Sequence, residues 1–167
     1  APGIAASPFV PATNELRIMF KGGRGIGIRD SLGRVTGLVD SVLRTEIPGS
    51  TPISVDDASP RPPFGFLLPY VPSSVTLSDF GPSGKTKVFF FRDNLVFTVD
   101  RSGTSPGDSD RFIFDSGLTA FNTDTTVKTI HLFMNRSGYP ADNSIRVGSV
   151  TLLQGDSVRI EPVSPDG

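Results

Sequence analysis

Glycine and proline interrupt this chain so often that long helices and long strands have little room to form. The 167 residues include 18 glycines and 15 prolines, which fall without a fixed period between short runs of β-branched and aromatic residues. Proline and glycine end helices and interrupt sheets, whereas valine, isoleucine, threonine and phenylalanine favour strands. The pattern predicts many short strands joined by turns, and it is not that of a collagen-like or disordered chain.

The predicted strands are most distinct in the second half of the chain. They are residues 15–20, 75–77, 87–91, 95–99, 111–114, 127–134, 145–153 and 158–163. Turn sequences at 92–94 and 154–156 predict hairpins between the strands on either side. We expect a mainly β fold, an antiparallel sandwich or a curled sheet of about 8–10 short strands.

Residues 30–44 are the one place where a helix competes with strands, so the expected fold contains at most one short helix (about 30–44). Four apolar residues there fall roughly on one face of a helix that Asp30 could cap: Leu32, Val35, Val39 and Val42. The alternative is a hairpin that turns at residues 30–33, because aspartate opens such turns and Gly33 tolerates the positive φ that ends them. Both predictions stay open at the level of sequence.

Two glycine-rich stretches resemble phosphate-binding loops but fail the tests for them. In residues 21–29, KGGRGIGIR, the third glycine of a dinucleotide fingerprint is replaced by Asp30, whose carboxylate would repel phosphate. Residues 81–86, GPSGKT, end like a Walker A loop, yet Asp79 stands where its first glycine belongs and a strand follows instead of a helix. We interpret both as turns or loops between strands, in which glycine lets a strand bend or another backbone approach.

The expected organisation is an extended N-terminal arm, residues 1–14, followed by a single β-rich domain, residues 15–167. The arm contains three prolines and scattered apolar side chains. Residues 48–72 contain seven prolines and are predicted to form a surface loop with a brief edge strand near 53–55. A chain that begins at Ala1 instead of Met fits a processed or trimmed protein, and a signal peptide cut before Ala1 would fit export.

Composition argues against several functional classes. The 16 basic and 17 acidic residues nearly cancel, so we expect no nucleic-acid partner. There is no cysteine and only one histidine, which disfavours disulfides, a cysteine nucleophile and a transition-metal site. No apolar stretch approaches the roughly 18 residues of a membrane helix, so we expect no membrane insertion by this chain. No cofactor or metal is predicted.

A few residues are candidates for chemistry or binding. His131 lies in a predicted strand and would need a nucleophile and an orienting carboxylate for catalysis, so we predict no catalytic residues and no enzyme. Three aspartates could offer oxygen ligands to calcium, although solvated turn residues are the alternative: Asp100, Asp108 and Asp110. Four aromatic residues near the loops could bind a sugar or a partner, or anchor their loops to the core: Phe64, Phe66, Tyr70 and Tyr139.

The order of elements in the C-terminal half carries a family resemblance. Leu68-Pro69 leads into SVTL at 74–77, FIFDSG at 112–117 and TIHL at 129–132, and residues 145–153 turn at Gly155 into SVRI at 157–160. This order resembles the globular domain of H-type minor pseudopilins and related minor type IV pilins. The resemblance implies a small sheet domain packed on an N-terminal helix, in an exported subunit of a pilus-like or secretion filament, and it brings no catalytic residues with it.

These observations predict a non-enzymatic structural subunit of an extracellular or particle assembly that acts through subunit-subunit contacts. Its expected location is extracellular or at the cell surface, and its partners are copies of itself or other subunits. Three apolar residues of the arm are the predicted assembly contact: Ile4, Phe9 and Val10. The alternative is a carbohydrate- or receptor-binding β-sandwich, such as a viral capsid projection.

Overall fold

Alternating burial along the strands divides the side chains into an inward-facing and an outward-facing set. Along residues 128–136, Lys128, Ile130, Leu132 and Met134 are buried, whereas the residues between them are exposed or half-buried. The structure is a computed structural model that describes residues 15–54, 63–69, 73–80, 84–136 and 143–162. Within these residues, the period of two builds a sandwich of two sheets, and no helix is present.

The described residues form fourteen strands, which pair antiparallel in two seven-stranded sheets. In spatial order the first sheet contains β13 (Asn143–Leu152), β12 (Lys128–Arg136), β9 (Leu95–Ser102), β8 (Lys85–Arg92), β1 (Glu15–Lys21), β6 (Gly65–Pro69) and β5 (Thr51–Ile53). The second contains β14 (Ser157–Ile160), β11 (Leu118–Phe121), β10 (Asp110–Phe114), β7 (Ser73–Phe80), β2 (Gly23–Arg29), β3 (Val35–Val39) and β4 (Val42–Thr45). The predicted mainly β antiparallel fold is confirmed. Of its two expected forms, the sandwich is present and the curled sheet is not, with more strands than the about 8–10 expected.

Four phenylalanines form the centre of the core between the sheets. Phe90 and Phe97 come from the first sheet, and Phe112 and Phe114 come from the second. The ring centroid of Phe90 lies 5.5 Å from that of Phe112 and 5.3 Å from that of Phe114, while Phe97 lies 5.7 Å from Phe114. These are the separations of attractive aromatic pairs, so the rings join the two layers.

The helix predicted at residues 30–44 is wrong, and the competing hairpin is confirmed. β2 pairs with β3 across a turn in which the Asp30 carboxylate accepts hydrogen bonds from the N–H groups of Leu32 and Arg34, at 3.0 and 2.9 Å. A second turn at residues 40–41, where both φ values are positive, joins β3 to β4. The apolar spacing was misleading, because Leu32 is 75% exposed at the first turn instead of facing a core.

Of the two predicted hairpins, the one at residues 92–94 is confirmed by the pairing of β8 with β9. The second is wrong, because β13 pairs with β12 in the first sheet whereas β14 pairs with β11 in the second. Buried Asn122 holds the turn between them. Its side-chain amide donates to the Leu152 carbonyl at 2.9 Å, and its backbone bonds to Gly155 and Asp156. The turn therefore carries the chain from one sheet to the other.

The proline-rich range 48–72 holds two described strands, whereas the sequence predicts one brief edge strand. β5 includes Pro52 and lies at the edge of the first sheet, where a strand can lack an N–H donor. β6 lies inside that sheet, and its one proline, Pro69, is its last residue. Residues 55–62 and 70–72 lie outside the described residues.

Candidate functional site

The outward face of the first sheet carries a row of aromatic side chains across its middle strands. The register places Met19 of β1, Phe89 of β8, Thr98 of β9 and Phe133 of β12 opposite one another. Phe89 and Phe133 are half-buried, and Thr98, only 9% exposed, lies between them. Residues directly opposite in a ladder share a face, so the whole row points away from the core.

A second phenylalanine on β8 extends this row. The rings of Phe89 and Phe91 lie 6.1 Å apart and within 26° of parallel. Val96 of β9 stands opposite Phe91 and is also half-buried. The five residues Met19, Phe89, Phe91, Val96 and Phe133 are termed the aromatic patch. They form apolar surface on a sheet face where an antiparallel sandwich normally carries polar side chains.

Two cations lie over the rings of the aromatic patch. Lys87 Nζ is 6.0 Å from the ring centroid of Phe89, and the Arg146 guanidinium is 5.7 Å from that of Phe133. Both are cation–π distances, at which the ring quadrupole attracts the positive charge. The face therefore offers aromatic surface and positive charge side by side.

A polar row lies next to the aromatic one on the same face. In order across β1, β8, β9, β12 and β13, it consists of Lys21, Lys87, Asp100, His131 and Ser149. Lys87 Nζ lies 3.6 Å from Asp100 Oδ2. Ser149 Oγ lies 3.0 Å from His131 Nδ1. The row brings a serine, a histidine and an aspartate to successive strands.

His131 gains one of the two partners that a catalytic histidine needs. A serine–histidine–aspartate mechanism requires the nucleophile at one ring nitrogen and an orienting carboxylate at the other. Ser149 supplies a hydroxyl, but within the described residues the Asp100 carboxylate pairs with Lys87 and not with the imidazole. Ser149 and His131 therefore form a hydrogen bond between neighbouring strands on the outward face of the first sheet.

The three aspartates considered as calcium ligands do not come together. Asp100 faces outward, whereas Asp108 and Asp110 lie inside, paired with cations. The Arg101 guanidinium contacts Asp108 Oδ2 at 2.8 Å and also bonds to Asp110, which Lys128 contacts as well. Over the described part of the chain, no group of three or more His, Asp or Glu side chains is placed to hold a metal ion.

The buried ion pairs join the two sheets at one end of the sandwich. Lys128 Nζ of β12 lies 3.0 Å from Asp110 Oδ1 of β10 and 2.7 Å from Asp124 Oδ2, and it also donates to the Ser109 carbonyl. Burial by itself would raise the pKa of Asp124, but hydrogen bonds from Lys128 and Ser109 outweigh it and hold that pKa below its usual range. Each carboxylate has a cationic partner, so the cluster is structural.

The residues predicted to bind a ligand are only partly described. Phe66 is 0% exposed and belongs to the core, as expected of an aromatic anchor, and Phe64 is half-buried. Tyr70 and Tyr139 lie outside the described residues. The same holds for the predicted assembly contact of the arm, which consists of Ile4, Phe9 and Val10.

The sequence does not single out the aromatic patch, although a signal for it is present. Phe89, Phe90 and Phe91 are consecutive on one strand. Because successive side chains point to opposite faces, such a run must place aromatic rings on both the core side and the outer side. Phe133, by contrast, joins the patch only through the register of β8 with β9 and of β9 with β12.

The residues that the structure describes include no helix with the length and apolarity needed to cross a membrane. Comparison with known proteins identifies no relative, since no family model, no curated protein and no solved structure matches this chain.

Proposed function

We propose that this chain is a non-enzymatic structural subunit of an extracellular or particle assembly, and that it acts through subunit-subunit contacts. The supporting observation is the aromatic patch, in which Phe89, Phe91 and Phe133 remain half-exposed on a regular sheet face. Aromatic residues, methionine and arginine are enriched at protein interfaces and supply most of their binding energy. Covering the patch with another subunit removes its apolar area from water, which favours association by about 25 cal/mol per Å².

The assembly we propose is a pilus-like or secretion filament, because the order of sequence elements in the C-terminal half resembles that of minor pseudopilins. In this filament, the chain lies outside the cell or on the cell surface, and the partners of the chain are further copies of it or other subunits. The arm, residues 1–14, adds a second contact by burying apolar side chains on a neighbour, and these are Ile4, Phe9 and Val10.

The patch contact is tested with the double variant Phe89→Ser/Phe91→Ser. The matched control is Phe121→Ser, which removes a half-buried phenylalanine from the outward face of the second sheet, where Arg111 lies 5.3 Å from the ring centroid. Sedimentation velocity and electron microscopy measure assembly, and circular dichroism checks the fold. We expect the double variant to stay folded and monomeric while the control assembles normally. Assembly of the double variant at the native level would contradict the patch contact.

The arm contact is tested by deleting residues 1–14. We expect loss of assembly, with a thermal unfolding midpoint equal to that of the native chain diluted until it is monomeric, because a contact made on a neighbour contributes nothing to the isolated subunit. Native assembly of the deleted protein would rule out the arm. Native assembly of both this protein and Phe89→Ser/Phe91→Ser would overturn the proposed function as a whole.

A carbohydrate- or receptor-binding sandwich, such as a viral capsid projection, is the second candidate, and the pair Phe89 and Phe91 favours it. Two nearly parallel rings on an outward face form a platform on which the apolar side of a sugar can stack. Glycan arrays probed with monomeric protein distinguish the two functions. Saturable glycan binding that Phe89→Ser/Phe91→Ser abolishes, by a chain that never assembles, would select the binding module.

A further inference from the structure

Described residues from the two glycine-lysine stretches that fail the sequence tests for phosphate loops, residues 21–22 and 84–86, meet at one end of the first sheet. The chain leaves β1 at Lys21 and crosses to the second sheet through Gly22, whose φ is 90°. A Cβ on Gly22 would lie only 2.1 Å from the Lys85 carbonyl oxygen, so this corner packs directly against the first residue of β8. Gly22 of the first stretch and Lys85 of the second are therefore neighbours in space.

An open cavity of about 420 Å³ lies at this junction. Among the described residues, its lining comprises Lys21, Gly22, Lys85, Thr86, Lys87 and Asp100. Three lysines against one aspartate give this described lining a formal surplus of positive charge, on a chain whose net charge is −1. A positively charged concavity attracts anions over the range that salt does not screen.

Two of these lysines repel each other and so destabilise the first sheet. Lys21 and Lys87 stand directly opposite each other on adjacent antiparallel strands, where like charges destabilise the pairing. Asp100 compensates Lys87 at 3.6 Å, and the described residues give Lys21 no ion pair. An anion between the two ammonium groups would turn this repulsion into attraction.

The strands that line the cavity are fixed in the sandwich by burial and by ion pairs. Thr86, in its lining, is 4% exposed and stands opposite Arg101 in the β8–β9 ladder. The Arg101 side chain points into the core, where Asp108 and Asp110 hold it. On the outer side, Lys87 lies between the Asp100 carboxylate and the Phe89 ring. The lysines are thus presented on anchored strands and not on a loose loop, which lowers the cost of ordering them around a ligand.

We propose that this cavity binds a sulfate or phosphate group, presented either as the free ion or as part of a sulfated glycan. A doubly charged tetrahedral oxyanion suits ammonium groups, which bind it as point charges through charge-assisted hydrogen bonds. No nucleotide loop is involved, since a strand and not a helix follows Lys85. This site goes beyond the proposed assembly: Lys87 also lies 6.0 Å from the Phe89 ring of the aromatic patch, whereas Lys21 lines the cavity and is not part of that patch.

Equilibrium dialysis of the full chain against radiolabelled inorganic sulfate or phosphate, with chloride holding the ionic strength constant, tests the site. We expect saturable binding that the double variant Lys21→Gln/Lys87→Gln weakens about a hundredfold, since it removes two charge-assisted bonds that each contribute about tenfold in affinity. The matched control, Arg29→Gln/Arg111→Gln, removes two positive charges from the outward face of the second sheet and should bind as the native chain does. Absence of saturable binding, or equal weakening by both double variants, would overturn the site.

A second arm of the experiment distinguishes the sources of the anion. A sulfated oligosaccharide that binds more tightly than inorganic sulfate, while its desulfated form does not bind, identifies a glycan ligand. Equal affinity of the oligosaccharide and the inorganic ion identifies the free ion. Lys21→Gln alone, which leaves Lys87 beside the aromatic patch unchanged, is also scored for assembly and should assemble normally, so that failure of this site and failure of the proposed function give different results.

Discussion

Lys128 Nζ and Asp110 Oδ1 lie 3.0 Å apart and join the two sheets, since Lys128 belongs to β12 and Asp110 to β10. Their side chains are only 1% and 8% exposed. Removing one member of a buried pair is expensive, because the other keeps its charge where water cannot solvate it. Arg101 and Asp124 extend the same cluster to further segments of the chain.

Replacing Lys128 by methionine should therefore be strongly destabilising. We expect Lys128→Met to lower the free energy of unfolding, measured by urea denaturation, by about 3–5 kcal/mol. The control is Lys87→Met, which breaks the exposed pair with Asp100 and should cost no more than about 1 kcal/mol. Similar losses in the two variants would show that the buried cluster does not hold the sheets together.

Acid should remove the contribution of Asp124. Burial opposes ionisation of this carboxyl, but the hydrogen bonds from Lys128 and Ser109 prevail and lower its folded-state pKa. The unfolded chain, with a pKa of about 3.9, therefore takes up the proton first as the pH falls. The stabilisation is complete above that value and is lost as the pH falls through the lower folded-state pKa.

The measurement is the free energy of unfolding of the native chain and of Asp124→Asn across this pH range. We expect the two to differ most near neutral pH and to converge in acid, because the native carboxyl is then protonated as well. A difference that does not change with pH would mean that Asp124 acts through shape and not through charge.

Two glycines give a matched test of steric demand in the second sheet. Gly37 has φ of 147°, and a Cβ there would lie 2.0 Å from the Ile26 carbonyl oxygen on the neighbouring strand. Gly33 has φ of 78°, but a Cβ would meet nothing within 4 Å. We expect Gly33→Ala to cost about 1–2 kcal/mol from its backbone conformation alone. Gly37→Ala should cost clearly more, because β2 and β3 must move apart, and an equal loss in urea denaturation would contradict this packing.

Alanine substitutions of Phe66 and Phe64 compare a residue packed in the core with a more accessible one in the same proline-rich range. Phe66 is 0% exposed, so Phe66→Ala should lower the free energy of unfolding by about 3–5 kcal/mol through the cavity it leaves. Phe64 is half-buried, and Phe64→Ala should cost less. A small loss for Phe66→Ala in urea denaturation would refute its assignment to the core.

Much of the fold follows from local patterns. The glycines and prolines between short β-branched runs predict an antiparallel sandwich or a curled sheet, and the turn at residues 92–94 predicts the hairpin of β8 and β9. The same local signals were misleading at residues 30–44, where an apolar spacing typical of a helix overlaps a hairpin. There the hydrogen bonds of the Asp30 carboxylate to the N–H groups of Leu32 and Arg34 favour the turn.

The candidate sites follow from the register and could not be predicted from spacing. Phe89 and Phe133 share a face because β8, β9 and β12 align with Thr98 between them. Lys21 and Lys87 share a cavity because β1 lies beside β8. Neither pair is marked in the sequence, since a one-residue slip in any of these ladders would turn the partner to the opposite face.

Local sequence determined which segments become strands and where the chain turns, because backbone preferences and alternation act over a few residues. The tertiary structure decided which sheet each strand joins. The turn after β13 has the composition of a hairpin, yet it forms hydrogen bonds with Asn122, the residue that follows β11. β14 therefore pairs with β11 in the second sheet. The physical reason is that the hydrogen bonds that settle this choice come from a residue 30 positions away from Leu152, beyond the reach of any local pattern.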